Sequence, residues 1–336
     1  MGDVGTRRRQ ARLAVRVLVT GASSMIGAAT VRCLTERGDE VRVLQRRSAG
    51  LDVDERLGSI TDPEVVRSAC DGVDAVVHLA AKVGVTGEWA EYETTNVTGT
   101  ERLIAAARAA GVGRVVHVSS PSVAHAGVAL VGAGAEPADP SSTEGFYATS
   151  KAMAEIAALA ASSDDMPIVA IRPHLVWGPG DTQLVGRIVE RARSGRLALV
   201  GSGTALIDTT YVDNAADALI AALDRAPRLG GQAFVVSNGE PRTVAELVHR
   251  IVRAAGIDWT ERRVPVAVAK GGGSMAERVW RRTGRTDDPP MTSFLAEQLS
   301  TAHWFDQRRT RAALDWHPRV TLAEGFAWLA ASYRSA

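Results

Sequence analysis

Only two cysteines, Cys33 and Cys70, occur in 336 residues. Neither has a CxxC or metal-ligand neighbour, so no disulfide framework or cysteine-based metal site is indicated, and a reduced, cytoplasmic setting is expected. No run reaches roughly 18 uncharged apolar residues, so no transmembrane span is expected; peripheral membrane contact stays open. An excess of one charge is also missing. The formal net charge is +1, which gives no overall field for holding nucleic acid. Arg7, Arg8 and Arg9 are followed by an apolar run broken at Arg12 and Arg16, which is not a signal-peptide pattern. Residues 1–13 read as a frayed tail. What remains is an ordinary globular composition, 46% hydrophobic and 23% charged, in a chain long enough for a large domain with a smaller lobe.

Residues 15–20 form a short β-branched run that reads as a buried strand. It leads into Gly21-Ala-Ser-Ser-Met-Ile-Gly27 and a helical stretch that Gly38 ends. Strand, glycine turn and helix form the opening of a dinucleotide-binding unit, because amides at a helix N-terminus hold pyrophosphate and glycine permits its close approach. Ser24 stands where the usual spacing puts a further glycine; a serine still fits there if its hydroxyl faces a phosphate. A second strand over 40–44 ends in Gln45-Arg46-Arg47. An NAD-selecting site carries a carboxylate at that place, to bond the ribose 2′-hydroxyl. Two guanidiniums suit a 2′-phosphate instead, so NADP(H) is expected ahead of NAD(H).

Further strands are expected over 57–62, 74–79, 113–118 and 168–173, with helices between them, including one over 94–111. Such alternation predicts a parallel sheet covered on both faces. His78 lies within an apolar strand and reads as a packed residue, since no metal partners stand at suitable spacing. Residues 121–145 read as a long loop beside the site. Residues 262–305 are the most idiosyncratic, and read as a cover over an apolar substrate, a packed lobe or a surface resting on lipid.

The strand over 113–118 delivers Ser119 and Ser120 at its carboxyl end, where ligands of open α/β sheets bind. Beyond the loop, Tyr147 and Lys151 are four residues apart on a helix and share a face. An ammonium beside a phenol lowers the phenol's pKa towards a catalytically useful range. A nearby serine hydroxyl could hold the substrate oxygen meanwhile. YxxxK alone is weak evidence; its weight comes from its position after the other elements.

The sequence resembles the extended short-chain dehydrogenase/reductases over residues 14–330, on TGASSMIG at 20–27, HLAA at 78–81, NVTGT at 96–100, VVHVSS at 115–120, YATSK at 147–151 and RPHLVWGPGD at 172–181. The resemblance implies a Rossmann-type doubly wound parallel sheet with a smaller C-terminal substrate-binding lobe. The expected division is 14–180 with parts of 205–240 for the NADP-binding domain, and 181–204 with 241–336 for the lobe. It implies Tyr147 as proton donor or acceptor, Lys151 on the nicotinamide ribose and Ser120 on the substrate carbonyl, with Ser119 the alternative. The implied cofactor contacts are Gly21, Ser23, Ser24, Met25, Ile26 and Gly27 at the first turn, then Arg46 and Arg47. Ser59 and Ile60 follow near adenine, Ser59 replacing an aspartate common there. Ala80, Ala81 and Lys82 come next, then Ser119, Tyr147 and Lys151, and finally Pro173, Leu175 and Val176 at the nicotinamide end.

Within the family, YVDNAADAL at 211–219 resembles the 3β-hydroxysteroid dehydrogenase-like branch. PPMTSFLAEQLSTAHWFD at 289–306 is similar to bacterial members that reduce 2-alkyl-3-oxoalkanoates in olefin synthesis. A bulky apolar substrate is therefore expected, the branched oxo acid first and a sterol second. Sugar-nucleotide chemistry fits less well: Ser120-Pro-Ser122 lacks the carboxylates of the dehydratases, and Asp208-Thr-Thr210 lacks basic residues for a diphosphate. A homodimer, pathway-enzyme partners and a non-catalytic NADP(H)-binding rival complete the expectations.

Overall fold

Val17, Leu18 and Val19 are fully buried, and β1 (Arg16–Thr20) accordingly lies inside a sheet rather than at its edge. The computed structural model describes residues 14–84, 86–124, 129–283 and 292–334. Around β1 run β2 (Glu40–Gln45), β3 (Asp54–Leu57), β4 (Ala75–His78), β5 (Val115–Val118), β7 (Ile168–Pro173) and the strand Ala233–Val236. Their order is Ala233–Val236, β7, β5, β4, β1, β2, β3, and every pairing is parallel. This is the expected doubly wound sheet, with its topological switch between β1 and β4.

Alternation along the strands decides which residues meet which helices. Val17, Val19, Val43, Val77 and Val116 face the helices Met25–Glu36 and Val212–Leu229. Leu18, Leu44, Val76 and Val115 face the other layer, packing on Val66, Leu103 and Ala158. Each such side chain contributes roughly 1.5–3 kcal/mol when fully buried, so both faces need covering and the helices are distributed to both sides. Cys70 is buried here, and burial pushes its thiol up to about 12.

Three expectations need correction. The third strand is Asp54–Leu57 rather than 57–62; Arg42 on β2 reaches Asp54 at 2.7 Å, which brings the earlier segment alongside. Residues 58–62 instead lead to the helix Pro63–Cys70, capped by Asp62, whose Oδ1 accepts from the amides of Glu64 and Val65. The helix expected over 94–111 begins at Trp89 and contains a wide π turn, Glu93–Thr98, before continuing as Gly99–Ala109. The stretch 121–145 is not all loop: β6 (Leu130–Ala133) pairs with His303–Phe305 in a second sheet that also takes Leu206–Ile207 and Arg242–Thr243.

Of the idiosyncratic stretch, residues 284–291 lie outside the described residues. Val266–Thr283 is a helix whose Ala269 is buried with Val200 and Ala296. The same helix exposes Val268, Met275 and Val279. Among the described residues no helix is long and apolar enough to cross a membrane.

Candidate active site

Gly21 turns the chain off β1 with φ +72, and a Cβ there would sit 2.8 Å from the Ala80 amide nitrogen at the end of β4. Only glycine tolerates both the conformation and the approach. A Cβ on Gly27 would meet the Gly21 carbonyl at 2.4 Å. The two glycines thus form a narrow cradle over the carboxyl ends of β1 and β4, and Ser23 projects from it exposed. The N-terminus of Met25–Glu36, carrying Ile26 in its first turn, aims amides into this cradle, as a pyrophosphate requires. Ser24 departs from expectation. Its hydroxyl caps that helix, accepting from Gly27 N at 3.1 Å and donating to Gly21 O at 2.9 Å, so it serves the turn rather than facing a phosphate.

Arg46 and Arg47 are exposed past the end of β2. Neither has a hydrogen bond or ion pair among the described residues. Ser59 bonds Thr61 at 2.7 Å, and Ile60 is buried against Gly99. Ala80 and Ala81 follow β4 after Leu79. The Lys82 ammonium, expected at the cofactor, pairs here with Glu91 at 3.2 Å and lies over the Tyr92 ring. At the far end, Pro173 closes β7, Leu175 holds a left-handed φ of 39° with its side chain exposed, and Val176 is half-buried.

Ser119, Ser120, Tyr147 and Lys151 do converge. Ser119 N donates to Ile171 O at 2.7 Å, fixing the end of β5 against β7, while its buried hydroxyl has no partner among the described residues. Ser120 shares a hydrogen bond with Ser122 at 2.9 Å. Tyr147 and Lys151 stand one turn apart on the helix Gly145–Ala160, and the Ser120 hydroxyl lies near enough to Tyr147 to lower its pKa. The electrostatics differ from expectation. Burial pushes the Tyr147 phenol up, and the Ser120 hydroxyl nearby only partly opposes it. Lys151 donates to Val118 O at 2.6 Å, and burial pushes its pKa down to about 8.

Asn96 was legible only as part of NVTGT, and the structure gives it work. From the π turn its Oδ1 accepts from Lys82 N, and its Nδ2 donates to Lys82 O and to Ser150 Oγ. One amide thereby ties the post-β4 segment to the tyrosine helix. Below it, Thr100 Oγ1 donates to Asn96 O and so accepts from His78 Nε2. That leaves His78 Nδ1 to accept from Thr20 Oγ1, which itself accepts from Ala80 N. His78 is thus a packed strand residue, and burial pushes it down to about 3.

Asp208 is fully buried, with its carboxylate accepting from Ser237 Oγ at 2.6 Å and from the amides of Gly239 and Glu240 at 3.1 Å. Burial nonetheless pushes it up to about 6. A carboxyl with a folded pKa above its unfolded value of about 3.9 favours the fold while protonated, and loses that contribution as pH rises through the folded pKa. Relative to Asp208→Asn, the unfolding free energy is expected to fall by up to about 3 kcal/mol between pH 4 and 7. Urea denaturation at fixed ionic strength measures this, and a difference independent of pH would refute it.

Residues 17–237 match the NAD dependent epimerase/dehydratase family. The 2-alkyl-3-oxoalkanoate reductase of Stenotrophomonas maltophilia (strain K279a) is 42% identical over 329 residues, covering 95% of this chain and 99% of that one. The 3 beta-hydroxysteroid dehydrogenase/Delta 5-->4-isomerase of Mycobacterium tuberculosis (strain ATCC 25618 / H37Rv) is 31% identical over 322 residues, covering 91% and 87%. Among solved structures, MoeE5 in complex with UDP-glucose and NAD matches with a TM-score of 0.74 at 26% identity, covering 95% of this chain and 99% of that one.

Proposed function

The chain belongs to the NAD dependent epimerase/dehydratase family and is an NAD(P)-dependent oxidoreductase, and from that premise we propose that it reduces the 3-keto group of a 2-alkyl-3-oxoalkanoate to the 3-hydroxy acid with NADPH. The observation that carries this reading is the meeting of Ser120, Tyr147 and Lys151 at the end of β5, in a chain 42% identical to a reductase of that name. The glycine cradle fits a dinucleotide pyrophosphate, and Arg46 and Arg47 fit a 2′-phosphate. NADPH, when bound, supplies the hydride.

In this reading Ser120 donates a hydrogen bond to the substrate carbonyl oxygen, and Tyr147 gives that oxygen its proton. Lys151 holds the nicotinamide ribose and stabilises the phenolate that develops, a preorganised charge. Exposed apolar side chains neighbour the site residues in sequence: Phe146, 48% exposed and edge-on to Trp89 at 5.8 Å, precedes Tyr147, and the exposed Val83 follows Lys82. Such a rim suits alkyl chains better than a sugar diphosphate. The smaller sheet and the carboxyl-terminal helices form the substrate lobe, and a homodimer pairs the helices 89–109 and 145–160, where Ile156 is exposed.

Because Lys151 acts as a cation and its pKa is pushed down to about 8, kcat for reduction is expected to fall as pH rises past about 8 at saturating NADPH. A flat profile beyond that point would remove the charge from the mechanism. A sterol is the second substrate reading, favoured by residues 211–219 and the mycobacterial relative. The deciding experiment follows NADPH oxidation with a long-chain 2-alkyl-3-oxo acid and a 3-ketosteroid in parallel, with NADH as control. Turnover of the oxo acid supports the first reading; turnover of the steroid alone supports the second; silence with both overturns each.

A further inference from the structure

We propose that Arg172 and Glu155 are a positioning pair for the reaction: they lock the tyrosine helix to the cofactor end of β7, and their balanced charges let Lys151 act as a cation. This rests on the role given to Lys151 above. Both side chains are 1% exposed. Arg172 Nε donates to Glu155 Oε2 at 2.9 Å, and Nη2 donates to Oε1. The remaining Nη1 donates to Glu136 O at 2.8 Å. One guanidinium therefore joins three pieces of the site: β7, the helix bearing Tyr147 and Lys151, and the 121–144 connection. Arg172 immediately precedes Pro173, where the chain turns towards Leu175 and Val176. Glu155 lies four residues beyond Lys151, on the same helix face.

Stability alone does not require such a pair. Taking two charges out of water offsets most of their attraction, and apolar residues of similar volume often serve a fold as well or better. An apolar pair could not supply a counter-charge one turn from a buried ammonium. Glu155 favours the charged form of Lys151, against the burial that opposes it. Among the described residues the other titratable groups around Lys151 are Tyr147 on the same helix, and His78 and His117 on β4 and β5. Both imidazoles are pushed down by burial and carry no charge at neutral pH. Arg172 on β7 completes the set.

The two charges make opposite predictions. With Glu155→Gln, Lys151 faces an uncompensated guanidinium, and the alkaline fall in kcat moves down by about one pH unit. With Arg172→Met, a lone carboxylate remains, and the fall moves up by a similar amount. The double variant Glu155→Leu/Arg172→Met restores neutrality, so its fall returns to the wild-type pH while kcat drops roughly tenfold from lost positioning. Full-length proteins would be compared for pH profiles, kcat, KM, NADPH affinity and thermal unfolding.

A purely structural pair would lower stability and leave both limbs in place, and unmoved or same-direction shifts overturn the proposal. If the single variants do not fold, the double variant decides: a lowered kcat at unchanged NADPH affinity supports the pair, and wild-type kcat overturns it. Lys151→Met serves as the control. Unchanged turnover there overturns the mechanism and this proposal together, whereas an inactive Lys151→Met with unmoved limbs in the single variants overturns this proposal alone.

Discussion

Tyr147→Phe is expected to lower kcat for ketone reduction by roughly 10²–10⁴-fold while leaving NADPH affinity and thermal unfolding essentially unchanged. The substitution keeps the ring and removes only the hydroxyl, which the Ser120 hydroxyl faces. The upward shift of the phenol suits this direction of reaction. A group that must arrive protonated is kept so at neutral pH by burial, and it becomes acidic only when negative charge grows on the substrate oxygen. Ser120 then has two partners to serve, the phenol and the carbonyl, so Ser120→Ala should cost less than loss of the acid itself. Stopped-flow turnover alongside NADPH fluorescence titration separates chemistry from binding. Substantial residual turnover in the phenylalanine variant would transfer the proton donor's role to another group.

The sequence was most legible where a single backbone rule fixed the answer. β7 falls where the apolar run over 168–173 places it, because strands buried on both faces read as continuous hydrophobic stretches. The tyrosine helix begins at Gly145, where the expected loop over 121–145 ends. Legibility failed where tertiary contacts chose between local options. β3 ends where a strand was expected to begin, since the Arg42–Asp54 pair acts across the sheet and leaves no periodic trace in either segment. β6 is invisible for the same reason: Leu130–Ala133 becomes a strand only by meeting His303–Phe305, some 170 residues later in the chain.

At the site, motif positions gave which residues meet, and not how they are charged. Tyr147 and Lys151 are neighbours as their spacing requires, yet burial dominates both pKa values, and burial belongs to the fold rather than to a five-residue pattern. Ser24 and Lys82 show the same limit. One is taken by a helix cap and the other by Glu91, each a partner that competes with the ligand. Asn96 was visible as a motif letter; the π turn that aims its amide at Lys82 and Ser150 has no sequence signature of its own.

Replacing Arg46 and Arg47 together by alanine is expected to weaken NADPH binding by roughly 10²-fold, the worth of two charge-assisted hydrogen bonds at about 1.5 kcal/mol each, and to leave NADH binding nearly unchanged. The nearby carboxylate does not undercut this. Glu55 on β3 accepts from Gln45 Nε2 and from Ala49 N at 3.2 Å, and the nearby Ser48 hydroxyl first, then these two bonds, hold its pKa below the usual range. Its lone pairs thus shape the loop that carries the two arginines, instead of waiting for a ribose hydroxyl. The arginines have no competing partner among the described residues, so binding a phosphate breaks no existing ion pair. Fluorescence titration of both cofactors at two ionic strengths distinguishes a specific 2′-phosphate site from a general cationic field. A specific site loses NADPH affinity alone. Equal weakening of NADPH and NADH would mean that the arginines act only as a screened surface charge, and a wild-type preference for NADH would reassign cofactor choice to the Gln45–Glu55 pair.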